Sequence, residues 1–128
     1  SRSRSASFVP RCDGAATIMM RSDFEKQNPY VNEMKTTASR ISRSGHGILA
    51  TDESAPTAGK RLGTIGVENT EANRREFREM LYSTPSLGKY ISGVIMYDET
   101  IYQRTAGGIR FTTLLQQEGI LVGVKVDT

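Results

Sequence analysis

The chain has 128 residues and a mass of 14.1 kDa, enough for one hydrophobic core but not for two. Hydrophobic residues make up 37% and charged residues 24%, which excludes a collagen-like or strongly charged disordered chain and sets the expectation of a soluble globular protein. The net charge of +3 comes from residues 1–22, where Arg2, Arg4, Arg11 and Arg21 face Asp13 alone, whereas residues 23–128 balance 13 basic with 13 acidic groups. The body therefore lacks the clustered cations that a nucleic-acid surface needs.

Residues 1–22 are rich in Ser, Ala and Arg and show no hydrophobic period. They are expected to be a targeting or disordered tail, with residues 23–128 as the folded domain. Cys12 is the single cysteine, which leaves no internal disulfide and no multi-cysteine zinc site. The longest apolar runs fall far short of the roughly 20 residues of a membrane-crossing helix, and no cluster has metal-ligand spacing.

Tyr30, Val31, Met34, Ala38 and Ile41 recur at helical spacing and predict a first helix. Residues 47–51, Gly-Ile-Leu-Ala-Thr, read as a buried strand ending at Asp52 and Glu53. Pro56 then offers a helix start for a stretch to Ile65, closed by Gly66. Asn69 or Thr70 caps a stronger helix, for which the pattern predicts a stripe of Phe77, Met80 and Leu81 facing inward. Arg74, Arg75, Arg78, Glu76 and Glu79 are expected on its other face. Residues 91–97 are β-branched and almost continuously apolar, as in a strand covered on both faces. A helix over 111–118 and a third apolar run over 120–126 complete the order strand, helices, strand, helix, strand, the pattern of βαβ units on a parallel sheet.

All three strands end in ionisable residues: Asp52 and Glu53, then Asp98 and Glu99, then Lys125 and Asp127. In parallel α/β folds the carboxyl ends of strands converge on the ligand. A carboxylate and an ammonium there suit carbonyl chemistry on a phosphorylated substrate, since the lysine balances phosphate charge and the carboxylate relays protons. Ser54, Thr57, Lys60 and Arg61 follow the first strand at a helix start, a setting that also favours an anion. The plainer alternatives are charges marking where burial ends and an ordinary capped helix. Two nucleotide-like patterns fail. Gly45-His46-Gly47 precedes its strand instead of following it, and Arg61 stands where a phosphate loop after Gly59-Lys60 needs Ser or Thr.

The segments GHGILATDES, GKRLGTIGVENTEANRREFREML, YISGVIMYDETIYQRTAGG and GILVGVKVD together resemble class I fructose-bisphosphate aldolase. The resemblance runs from about Asn28 to Asp127. It implies an α/β fold, the N-terminal portion, about three strands, of a (β/α)8 TIM barrel. It also implies reversible cleavage of fructose 1,6-bisphosphate to dihydroxyacetone phosphate and glyceraldehyde 3-phosphate through a lysine Schiff base, in a homotetramer, with no metal and no cofactor. On the same basis Asp52 matches the active-site aspartate. Ser54 and Thr57 match hydroxyls near the 6-phosphate, Arg61 a substrate-binding arginine, Lys125 a phosphate-side lysine and Arg74 an arginine of substrate contact, with Asp127 orienting Lys125. Ala55-Pro56 and Thr128 depart from the family pattern, and the Schiff-base lysine is expected after residue 128.

A complete barrel takes about 250 residues, so the chain by itself is expected to be inactive and prone to associate through its uncovered strand edge. The alternative is a non-catalytic anion-binding or interaction protein derived from an aldolase portion. Localisation divides between a plastid, favoured by the basic tail and the NTEANR wording, and the cytoplasm, with Met19 or Met20 as start.

Overall fold

The computed structural model describes residues 28–127; the expected tail, Cys12 and Thr128 lie outside them. A compact unit beginning at Thr37 holds all three strands. The elements in chain order are α1 (Val31–Ile41), β1 (Gly47–Thr51), α2 (Ala55–Gly63), α3 (Glu71–Tyr82), a 3-10 turn (Leu87–Lys89), β2 (Ile91–Met96), α4 (Asp98–Tyr102), α5 (Phe111–Gln117) and β3 (Leu121–Val124). The strands form one sheet in the order β1-β2-β3, and both pairings are parallel. The expected α/β architecture of about three parallel strands is therefore present. Among the described residues no helix is long and apolar enough to cross a membrane.

Local chemistry explains the element ends. Pro56 occupies the first turn of α2, where its missing N–H costs no helical bond. Thr70 caps α3, its side chain accepting from the Asn73 N–H at 3.1 Å. At the end of α5, Gly119 adopts φ +73°, its N–H donates to the Gln116 carbonyl and the Ile120 N–H to the Leu115 carbonyl, each at 3.0 Å. That pairing satisfies the last carbonyls, and only glycine takes the left-handed turn without strain. It also turns Ile120 back onto Leu115, and both are buried in the core.

The parallel register sets Leu49 beside Val94 and Val94 beside Val122. Successive side chains of a strand alternate faces, so this face carries Leu49, Val94 and Met96, and it is the face that Tyr82, Phe111 and Leu115 cover. Tyr82 and Phe111 meet edge to face, with ring centroids 5.2 Å apart. The opposite face carries Ile48, Ala50, Ile95, Leu121 and Gly123. Expectation and structure differ on β1, which was expected to be buried: Ile48 is 53% exposed and only Thr51 is buried. The strand lies at the sheet edge, with no further strand beside it among the described residues.

A larger correction concerns α3. Its buried residues are Arg74, Arg78 and Tyr82, while Met80 is 59% exposed. Of the expected stripe, Leu81 packs against the core and Phe77 is half-buried, so Met80 alone points away. Beside them two arginines one turn apart find a carboxylate and backbone carbonyls below the helix, partners that compensate part of their desolvation. The short helix α4 was also unanticipated. Its first turn contains Asp98 and Glu99, residues expected at the end of β2.

Candidate functional site

The ends of β1 and β3 build a pocket of about 330 Å³ lined by Ala50, Asp52, Glu53, Ser54, Thr57, Arg61 and Lys125. Each element contributes by its period. In β1, Ala50 and then Asp52 leave on the face opposite the core, and Lys125 follows Gly123 on that same face of β3. The Lys125 N–H donates to the Met96 carbonyl at 2.9 Å, which carries the β3 pairing one step past the strand. Ser54 stands at the N-cap of α2 and Thr57 in its first turn, their hydroxyls 3.1 Å apart. Arg61 lies one turn further along the same helix.

The pocket is charged on both sides. Lys125 Nζ stands 3.6 Å from Asp52 Oδ2 and 2.8 Å from Asp127 Oδ2. The hydrogen bond to Asp127, with the nearby Asp52 adding to it, holds the Lys125 pKa above its ordinary value, and the same bond holds Asp127 below its own. Lys125 is thus kept as an ammonium. Arg61, 63% exposed, reaches back to Glu53 Oε1 at 2.6 Å, whereas the Glu53 side chain is only 11% exposed. Glu53 Oε2 is buried and has no hydrogen-bond partner among the described residues.

Of the residues singled out in the sequence, Asp52, Ser54, Thr57, Arg61 and Lys125 meet in this one pocket. Arg74 does not line it. Arg74 is buried in α3, bonded twice to Glu99 and once to Asn69. Sequence reasoning placed Glu53 at the ligand-facing end of β1 without giving it a site role, and missed Arg78 as the side chain behind it; the i, i+4 spacing of Arg74 and Arg78 was the available signal, read as the face opposite the core. Among the described residues no group of three His, Cys, Asp or Glu is placed to hold a metal ion.

Chemically, the pocket joins a protonated lysine, an arginine and two hydroxyls, the usual partners of a phosphate, to a carboxylate within reach of the same centre. A parallel α/β sheet whose ionisable side chains gather at the carboxyl ends of its strands defines a barrel-type or doubly wound enzyme class. Comparison with known proteins narrows that class. A family model described as Glycolytic, fructose-bisphosphate aldolase class-I, matches residues 33–128. Fructose-bisphosphate aldolase 1, chloroplastic, of Chlamydomonas reinhardtii is 52% identical over 98 residues, 77% of this chain and 26% of that protein. Fructose-bisphosphate aldolase 2, chloroplastic, of Arabidopsis thaliana is 46% identical over 123 residues, 96% of this chain and 30% of that one. A co-crystal structure of Plasmodium falciparum fructose-bisphosphate aldolase with TRAP and a small-molecule inhibitor superposes with TM-score 0.74 at 44% identity, over 76% of this chain and 28% of that one. The chain belongs to the class I fructose-bisphosphate aldolase family, and its three-stranded sheet is the N-terminal portion of that family's barrel. It spans between a quarter and a third of the length of these relatives.

Proposed function

We propose that the full-length protein carrying this segment reversibly cleaves fructose 1,6-bisphosphate to dihydroxyacetone phosphate and glyceraldehyde 3-phosphate. The observation that carries the reading is the convergence of Asp52, Ser54, Thr57, Arg61 and Lys125 on one pocket at the ends of β1 and β3. Lys125 and Arg61 supply the positive charge for a phosphate, and the Ser54 and Thr57 hydroxyls donate to its oxygens. Asp52, beside Lys125, is the carboxylate that orients the reacting lysine and moves a proton, and Asp127 orients Lys125. Arg74 acts on substrate through its partners Glu99 and Asn69. Residues 23–128 form the first part of the barrel domain and residues 1–22 a targeting tail. A plastid location accords with the chloroplastic relatives, and the assembled enzyme is a homotetramer.

The test is a coupled assay of cleavage by the full-length protein, together with borohydride reduction in the presence of substrate. A substrate-dependent covalent adduct and steady triose phosphate release are expected. Tight phosphate binding with neither of these returns the chain to the class of anion-binding proteins.

A further inference from the structure

Glu99, in the first turn of α4, anchors a network that reaches the pocket from behind. Arg74 donates to its carboxylate from Nε to Oε1 at 3.0 Å and from Nη2 to Oε2 at 2.6 Å, the paired geometry that arginine favours. Arg78 Nη1 stands 3.6 Å from Glu99 Oε1. From there the network splits into two branches. Arg78, 1% exposed, donates from Nη2 to the Glu53 carbonyl at 2.7 Å and from Nε to the Thr51 carbonyl at 3.4 Å. Arg74 Nη1 donates to Asn69 Oδ1 at 2.8 Å, and Asn69 Nδ2 donates to the Ala55 carbonyl at 3.2 Å.

The carbonyls so held, those of Thr51, Glu53 and Ala55, alternate with Asp52 and Ser54, whose side chains line the pocket. Burying an arginine is costly unless its charge is matched, and Arg78 Nη1, which has no hydrogen-bond partner among the described residues, depends on the ion pair with Glu99. A helix needing only to pack against a sheet would place apolar groups here. We propose that Arg78, held by Glu99, is a positioning residue that aims Asp52 into the pocket, and that the Arg74–Asn69 branch positions Ser54 and Thr57. The proposal rests on the aldolase reading above, in which Asp52 handles a proton and the two hydroxyls a phosphate.

Arg78→Lys keeps a cation but loses the planar fork, so it no longer serves two carbonyls and Glu99 together. Asn69→Ala removes the donor to the Ala55 carbonyl together with the acceptor for Arg74 Nη1, and so breaks this branch alone. The experiment is steady-state cleavage of fructose 1,6-bisphosphate by the full-length protein with either change, alongside amide hydrogen exchange of the peptide 50–60. Arg78→Lys is expected to lower kcat about 10- to 100-fold, the scale for a displaced catalytic group, with KM near wild type. Asn69→Ala is expected to raise KM with kcat near wild type. Exchange of the 50–60 peptide rises in both, while β2 stays protected.

A purely structural role moves both variants alike, lowering kcat through the folded fraction and opening β2; that pattern, or unchanged kcat and exchange in Arg78→Lys, overturns the proposal. Glu99→Gln keeps the shape and removes the charge that holds Arg78, and it gives the same kcat loss if Arg78→Lys fails to fold. If the wild-type protein does not cleave the sugar, the aldolase reading falls. The exchange measurement then still decides whether Arg78 and Asn69 fix the loop.

Discussion

Lys125 Nζ lies 3.6 Å from Asp52 Oδ2, although their strands, β3 and β1, are separated in the sheet by β2. The two side chains span that middle strand because the parallel register sends both out on the same face, opposite the core. Asp127 adds a second carboxylate at 2.8 Å from the same nitrogen.

On the proposed reading Lys125 pairs with a substrate phosphate, and replacing it by Met in the full-length protein removes that ammonium. We expect KM for fructose 1,6-bisphosphate to rise roughly 10- to 100-fold, the range of one charge-assisted hydrogen bond. Initial-rate kinetics over a substrate series check this, and an unaltered KM would remove Lys125 from the substrate contacts.

Asp52→Asn keeps the size and polarity of the side chain but abolishes its capacity to move a proton. Loss of kcat by about 10²- to 10⁴-fold is expected for a general acid-base group. Because Asp52 is only half-buried at the pocket rim, the melting temperature should stay near wild type, which thermal unfolding followed by circular dichroism would report.

The hydrogen bonds from Arg74 hold the Glu99 carboxyl below the ordinary glutamate value of 4.5. A depressed folded pKa stabilises the protein above the unfolded value and loses that contribution as pH falls through the folded value. Glu99→Gln should therefore be less stable than wild type near neutral pH, with the gap closing in acid below 4.5. Urea midpoints measured from neutral pH down to about pH 3 give the comparison, and a gap that does not depend on pH contradicts the assignment.

In the core, the Tyr82 hydroxyl and Thr51 Oγ1 lie 2.5 Å apart, and Thr51 Oγ1 also donates to the Ile95 carbonyl at 2.9 Å. Tyr82→Phe removes the first contact and leaves the second, so a loss of about 1 kcal/mol is expected. Phe111→Ala, at a fully buried site against the Tyr82 ring, should cost about 3–5 kcal/mol. Denaturant titration separates the two, and equal losses would count against this account of the core.

The 128-residue chain, purified by itself, should give no substrate-dependent adduct with borohydride, since the lysine that forms the Schiff base in this family is expected beyond it. It should also self-associate through the β1 edge, where Ile48 is 53% exposed. Mass spectrometry after reduction and sedimentation at several concentrations test the two statements. A specific adduct would place a reactive lysine among residues 1–128.

Much of the site was legible because its signals are local. The acidic pair after β1, Ser54 and Thr57 around Pro56, Arg61 one turn on and Lys125 past the last apolar run could all be placed at strand ends from short-range periodicity. Their assignment to particular roles came from family resemblance, since spacing alone fits an ordinary capped helix equally well. The burial of Arg78 behind Glu53 was not legible. A helix pattern with arginines at i and i+4 reads the same whether they face water or a carboxylate, and the difference lies in Glu99, Thr51 and Glu53, all distant in sequence.

The sequence by itself determined the order of the three strands and of every helix but α4, and the ionisable residues at the strand ends, because propensity, side-chain period and turn chemistry act over a few residues. Tertiary structure alone decided that Arg74 and Arg78 are buried in α3, that Asp52 and Lys125 meet across β2, and that Arg78 bonds the Thr51 and Glu53 carbonyls on either side of Asp52. The physical reason is that a buried charge is tolerated only where distant partners compensate it, and those partners are brought together only when the sheet has formed.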